Sequence, residues 1–354
     1  MRKWLVGILA GILGLALAQL PPELDTPYIK DLAAKARAEG GVIYSYGMPN
    51  IWANYGEIFA EFQRLFGIRH QDIDMGSAVV LARMQEENAS KNDIADLKPA
   101  FAMILAEKGL TLPYKVTVWD KLPSSQRGVG KDGSTWYAAY KGTLGWIVNK
   151  NLVKEVPRKW RDLKNPAYKG LISYLDPRAT GTGVATVMAA AYALTGDPYN
   201  YKAGVDFLAE LHEMGLVGST DPKVTTAKFE RGEVGILINY DYNLLKWRDQ
   251  FPFPTEVVIP EDGTLSNGGG NIAARNAPHP NTAKLYLEFI FSKYGQSLFA
   301  KGYVSPIRPD VELPPEIAKK FPPKEAYEKA VFLDYRKEAE VSEALQKYYA
   351  ERIK

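Results

Sequence analysis

Beyond its first eighteen residues, the chain alternates short apolar runs with stretches whose apolar residues recur every three or four positions. That alternation limits it to an α/β fold with a mostly parallel sheet and right-handed helical crossovers. Ile29, Leu32, Ala33 and Ala36 mark a first helix that stops at Gly40-Gly41, and Val42 to Tyr46 reads as a strand. Tyr55, Ile58, Phe59, Phe62, Leu65 and Phe66 then line one face of a second helix, ended by Gly67. A short strand around Ile73, a helix from about Ser77 to Glu87 and a strand at Ile94-Ala95 follow. A second series begins after Asn149. It comprises a strand from Leu171 to Leu175, helices from Val184 to Leu194 and Val205 to Met214, and a buried strand from Val234 to Ile238. A long helix with Tyr286, Phe289 and Ile290 on one face runs to Gly302, and prolines punctuate the tail before a charged final helix. At 354 residues, two α/β lobes are the simplest reading.

The N-terminus carries an address. Met1-Arg2-Lys3 precedes fifteen uncharged residues, Trp4 to Ala18, ending in Ala16-Leu17-Ala18. This is the layout of a secretory signal peptide, residues 1–18, cut before Gln19. A membrane anchor wants about 20 apolar residues, and this run is shorter, with Pro21-Pro22 beyond it. The mature protein is therefore expected to be soluble and exported. With 44 basic and 41 acidic residues, the net charge of +3 lacks the basic excess that nucleic-acid binding needs. The absence of cysteine excludes disulfides, thiolate nucleophiles and cysteine-ligated metals. His70, His212 and His279 are far apart in sequence and read as structural. No nucleophile elbow, Walker loop or EF-hand loop is present, so neither an enzyme nor a resident metal or cofactor is expected.

Ligands of open α/β sheets bind where loops leave the carboxyl ends of strands. The loop Asp176-Pro-Arg-Ala-Thr-Gly-Thr-Gly183 enters a helix, whose free N–H groups suit an anion. Gly181 and Gly183 let its amides converge, Thr180 and Thr182 add hydroxyls, and Arg178 offers a bidentate contact. The plainer alternative is a helix cap with Arg178 in solvent. Tyr240, Asp241 and Tyr242, flanked by Asn239 and Asn243, leave the strand that ends at Ile238. They suit a polar ligand, an ammonium group or a hard cation, or simply turn chemistry. Tyr46 and Trp52 are candidate pocket walls, with Tyr55 the better core residue. Ser77 is a helix cap or a ligand donor, and Lys98 faces an anion or solvent.

Seven segments, in order, resemble the bacterial periplasmic solute-binding proteins of ABC importers. They are Gly142-Thr-Leu-Gly-Trp-Ile-Val-Asn149-Lys150, Pro157 with Trp160-Arg-Asp-Leu163, Asn165-Pro-Ala-Tyr-Lys-Gly170, and Asp176 to Gly183. Phe229-Glu-Arg-Gly-Glu-Val234, His279-Pro-Asn-Thr-Ala-Lys284 and Gly302-Tyr-Val-Ser-Pro-Ile-Arg308 complete the set. The group includes ferric-ion, polyamine and phosphonate or sugar-phosphate binders. The resemblance implies a two-lobe periplasmic binding protein-like fold, with two crossover hinge strands near Thr143–Asn149 and Gly268–Ala274 and an inter-lobe ligand cleft. Residues 19–145 and 270–302 would form the N-terminal lobe and 146–269 the C-terminal lobe, with the lobe of the helices in 303–354 left open. It further implies a monomer that closes on a small-molecule ligand and docks on membrane permease subunits. Asp241 separates Tyr240 from Tyr242, where iron-binding relatives carry adjacent tyrosines. The polyamine relatives' aromatic and acidic walls have counterparts in Tyr46, Trp52 and Asp241, but Arg178 would repel a polycation. The expected ligand is a small organic anion, a phosphate or phosphonate ester or a carboxylate. Arg178 and Thr180 to Gly183 would hold the anion, and Ser77 and Thr143 would donate to it. Tyr240, Asp241 and Tyr242 would read the ligand's other polar groups, under Tyr46 or Trp52. The alternatives are a ferric-ion or polyamine binder of the same class and, from another class, a secreted hydrolase.

Overall fold

The computed structural model describes residues 19–86 and 91–354, so the expected signal peptide lies outside the described residues. The chain opens with α1 (Pro27–Ala38), β1 (Val42–Tyr46), α2 (Tyr55–Phe66), β2 (Arg69–Ile73), α3 (Ser77–Glu86), β3 (Ile94–Leu97) and α4 (Pro99–Glu107). Thr26 caps α1, and both α1 and α2 bury the apolar faces marked by their spacing. Next come β4 (Arg127–Val129) and a fifteen-residue strand, β5 (Thr135–Asn149). The second series is β6 (Ile172–Ser173), α5 (Gly181–Thr195), α6 (Tyr201–Glu213), β7 (Val217–Ser219), α7 (Thr225–Glu230), β8 (Ile236–Tyr240), α8 (Asp241–Gln250) and β9 (Thr255–Val258). After β10 (Thr264–Ala273) come α9 (Pro280–Phe291), α10 (Lys293–Lys301), β11 (Ser305–Pro306), α11 (Pro315–Ala318), β12 (Ala330–Phe332) and α12 (Tyr335–Arg352).

The single long helix expected before Gly302 is instead two. Ser292 takes an extended conformation, its hydroxyl donates to the Phe289 carbonyl at 2.6 Å, and it accepts from the Gly295 amide at 3.0 Å. A serine that caps the next helix breaks the one it ends.

The strands line up as β2-β1-β3-β10-β5-β8-β6-β7. β1 lies parallel to β2 and β3, and β6 lies parallel to β7 and β8. The two long strands between these blocks run antiparallel to their neighbours, which the expectation of a mostly parallel sheet missed. β5 is shared: Tyr137 to Thr143 pair with β10, and Leu144 to Val148 pair with β8. One strand thus passes from one block to the other between Thr143 and Leu144.

The core divides the same way. α1, α2, α9 and α10 pack with the first part of β5, and α3 and α4 form a neighbouring cluster with Trp136. α5 and α6 pack with β6, β8 and the second part of β5. The fold is therefore a two-lobed α/β architecture with crossing strands. The tail belongs to both bodies. β11 pairs with β5, β12 with the start of β10, and Tyr335 packs beside α4, whereas Leu345, Tyr349 and Ile353 join the α5–α6 core.

Candidate functional site

The exits of β1, β2, β3 and β8 converge with the start of α5 on a cavity of about 560 Å³. Both crossing strands form its floor through Tyr140, Gly142 and Asn267 to Gly269, and Tyr335 and Glu338 of α12 close one side.

A buried hydrogen-bonded chain fixes the aromatic wall. Tyr286 donates to Asn271 at 3.0 Å, and Asn271 donates to the Tyr55 hydroxyl at 3.1 Å. Tyr55 and Tyr140 both donate to Asp96 Oδ2, at 2.5 and 2.9 Å, and the Trp52 indole donates to Tyr140 at 3.1 Å. Burial outweighs the two phenol donors and pushes the Asp96 carboxyl up to about 7. Held in this way, Trp52 meets Tyr242 edge-to-face at 5.7 Å, and Tyr242 stacks on Tyr240 at 5.5 Å. Burial holds both of these phenols above their ordinary range. Glycines make the room: a Cβ on Gly142 would collide with the Tyr242 ring, and one on Gly269 with the Tyr140 ring.

The opposite wall is polar. Ser77, at the start of α3, accepts from the Lys98 amide at 3.2 Å and so steadies the β3–α4 corner. The Lys98 side chain crosses the cleft, its Nζ only 2.5 Å from where a Cβ on Gly181 would sit. Thr180 caps α5 by accepting from the Gly183 amide at 3.0 Å. Among the described residues, the first-turn amides of Gly181 and Thr182 have no acceptor. Lys98 is the one cation lining the cavity among the described residues, and its ammonium lies against Gly181 in the first turn of α5.

Of the residues named from sequence, Trp52, Ser77, Lys98, Gly181, Thr182, Tyr240 and Tyr242 line this cavity. The others are placed elsewhere. Tyr46 is buried beneath α3 with the Arg83 guanidinium over its ring at 5.2 Å. Thr143 is buried, its hydroxyl 2.7 Å from that of Ser266, joining the crossing strands. Asp241 turns inward, where its Oδ1 accepts from the amides of Thr143 and Tyr242, both at 2.9 Å. Arg178 grips Asp176 with Nε and Nη2 and lies over the Tyr349 ring at 5.4 Å, outside the cavity lining. Thr180 is occupied as the cap, and Gly183 exists because a Cβ there would strike the backbone of Leu175 to Pro177. Sequence reasoning missed Asp74, Tyr140, Asn267 to Gly269, Tyr335 and Glu338, and reached Asp96 only as the start of the strand exit that carries Lys98. Only the glycine run after Asn267, inside a strand, signalled a close approach.

A cleft between two lobes, spanned by shared strands and walled by rings on one side and a cation on the other, defines a receptor for a small solute. The model of the bacterial extracellular solute-binding proteins matches residues 90–336, and the chain belongs to that family. A protein from Haemophilus influenzae described only as uncharacterized is 34% identical over 202 residues, 54% of this chain and 56% of that protein. The chain thus matches little more than half the length of that relative. A putative 2-aminoethylphosphonate-binding periplasmic protein from Salmonella typhimurium is 23% identical over 271 residues, covering 74% of this chain and 76% of that one. The periplasmic binding protein AfuA from Actinobacillus pleuropneumoniae, solved with fructose-6-phosphate, superposes with a TM-score of 0.68 at 22% identity. That match covers 89% of this chain and 99% of AfuA, and it shows the shared fold.

Proposed function

We propose that the protein is the extracytoplasmic solute-binding component of an ABC importer, and that it captures a small organic oxyanion for delivery to membrane permease subunits. One observation carries the reading: the Lys98 ammonium, from the first lobe, lies against Gly181, which with Thr182 opens α5 in the second with amides that have no acceptor among the described residues. An oxyanion placed there binds both lobes at once, so its capture draws them together. Dipole and amides contribute up to roughly 2 kcal/mol in a partly buried site, and a charge-assisted bond from Lys98 about 1.5–3 kcal/mol. The names of two related proteins, a phosphonate binder and a receptor solved with a sugar phosphate, support a phosphoryl-type head group. The anion site differs from the one read in the sequence, because Arg178 is committed to Asp176 and Lys98 takes its place. Asp241 is absent from the lining, so Tyr240, Asp241 and Tyr242 do not act together on one ligand.

In this reading residues 19–145 and 270–302 form the first lobe and 146–269 the second, with 303–354 strapped across both. The mature periplasmic protein starts at Gln19 and works as a monomer. It binds, closes, docks and opens, with no covalent step. Isothermal titration of the mature protein against alkylphosphonates, sugar phosphates, carboxylates, polyamines and ferric citrate tests it. Heat is expected from an organic oxyanion, weakened at least tenfold in Lys98→Ala; heat only from polyamine or iron overturns it.

A further inference from the structure

Acidic groups outnumber basic ones around the cavity, which is unexpected for an anion receptor: among the described residues Asp74, Asp96 and Glu338 line it against Lys98 alone. Asp96 is occupied by the two phenols that donate to it. Glu338 is different. Its carboxylate makes no hydrogen bond or ion pair among the described residues, yet it faces the cavity from a helix that is held in place. Tyr335, one turn earlier on the same face, is pinned by donating to Gln126 at 2.6 Å, and Asp334 caps the helix through the amides of Arg336 and Lys337. Burial raises the Glu338 carboxyl, and Lys98 is the cation that pulls it back. Asp74, across the cleft, is likewise without a partner among the described residues.

A closing cleft sheds water and sharpens this imbalance. A purely anionic solute gripped by Lys98 and α5 would bring its charge beside an unpaired carboxylate, and like charges in a drying cavity repel strongly. A solute carrying its own cation removes the conflict, because its ammonium group satisfies Glu338 while its oxyanion takes Lys98. We infer that Glu338 makes the cleft selective for compact zwitterions, organic oxyanions that bear an ammonium group, and that the C-terminal helix thereby determines ligand specificity. The inference rests on the oxyanion reading above and adds the other end of the ligand.

The competing account makes Glu338 a resting counterion for Lys98, displaced when any anion binds. The two accounts predict opposite signs. Titrations would compare 2-aminoethylphosphonate with ethylphosphonate, and β-alanine with propionate, on the mature wild type, Glu338→Gln and Glu338→Asp, with melting curves confirming that each variant folds. Selectivity by Glu338 predicts that wild type binds the ammonium-bearing member of a pair at least tenfold tighter. Glu338→Gln then loses roughly tenfold toward that member and none toward its plain partner, and Glu338→Asp keeps part of the preference. Equal wild-type affinity within each pair overturns the inference while leaving the oxyanion reading intact, and so does tighter binding of both members by Glu338→Gln. Binding of neither pair, with heat from polyamine or iron, overturns both.

Discussion

Asp96 accepts hydrogen bonds from Tyr55 and Tyr140, yet it sits so deep that it keeps its proton up to about pH 7. In the unfolded chain an aspartate releases that proton near pH 3.9. Between about pH 4 and 7 the folded protein therefore binds a proton that the unfolded chain has lost, and stability falls as pH rises through this window. Asp241, raised to about 7 by burial beside the Thr143 and Tyr242 amides, acts in the same sense. Carboxylates with lowered pKa, such as Glu61 beside Arg64, act in the opposite sense, but they are common to wild type and variant. Asp96→Asn cannot titrate, so its melting temperature relative to wild type should climb from pH 4 to pH 7.5. Melting curves of the two that stay parallel over this range would show that Asp96 is ionised in the fold. This is also where the sequence stopped being informative. Trp52, Lys98, Tyr240 and Tyr242 were legible because they leave strand ends. Arg178 and Asp241 leave strand ends too, but their side chains find nearer partners, and nothing local reveals that choice. Asp96 stood out only as the start of the strand exit that carries Lys98, and Glu338 gave no signal at all, since it acquires its meaning from residues distant in sequence.

The loop into α5 shows two glycines doing different jobs within three residues. A methyl group on Gly183 would strike the backbone of Leu175, Asp176 and Pro177, which cannot yield, whereas one on Gly181 meets only the far end of Lys98. Gly183→Ala should therefore cost roughly 1–3 kcal/mol in urea unfolding, as overpacked positions do. Gly181→Ala should unfold nearly as wild type does and bind oxyanions about tenfold more weakly, because it moves the ammonium off the first turn of α5. The reverse assignment of the two effects would refute the account of this helix entry. Most of the elements themselves could be read from periodicity, since the apolar stripes of α1 and α2 are the residues that are buried. Two features could not. Ser292 divides α9 from α10 through a hydroxyl bond that leaves the apolar stripe uninterrupted. The antiparallel setting of β5 and β10 is decided by how the chain returns between lobes, which no window of residues records.

At the scale of the whole molecule, three segments tie the lobes together: β5, β10 and the tail that carries β12 and α12. They restrict relative motion without forbidding it. The hydroxyls of Thr143 and Ser266, 2.7 Å apart, and the bond from the Thr143 amide to Asp241 fasten the point where β5 passes from one lobe to the other. Bending is therefore expected about this fixed crossing, with the lips of the cleft moving most. The cavity walls follow from that geometry, Lys98 and Trp52 on one lobe and Gly181 and Tyr242 on the other, so a bound solute is worth most when the walls are closest. Binding to the folded state should also raise global stability, by about 2.7 kcal/mol at a ligand concentration of 100 times Kd. Because the chain has no cysteine, two spin labels can be placed without removing any native residue's thiol. Val79→Cys on α3 and Val224→Cys just before α7 are exposed positions on opposite lobes. Pulsed dipolar spectroscopy of this pair should give a broad distance distribution without ligand. Saturation with the oxyanion that titrates tightest should make it narrower and shorter by several ångströms. A melting temperature that rises while the distances stay unchanged would mean that the cleft is rigid, and that closure does not signal the bound state.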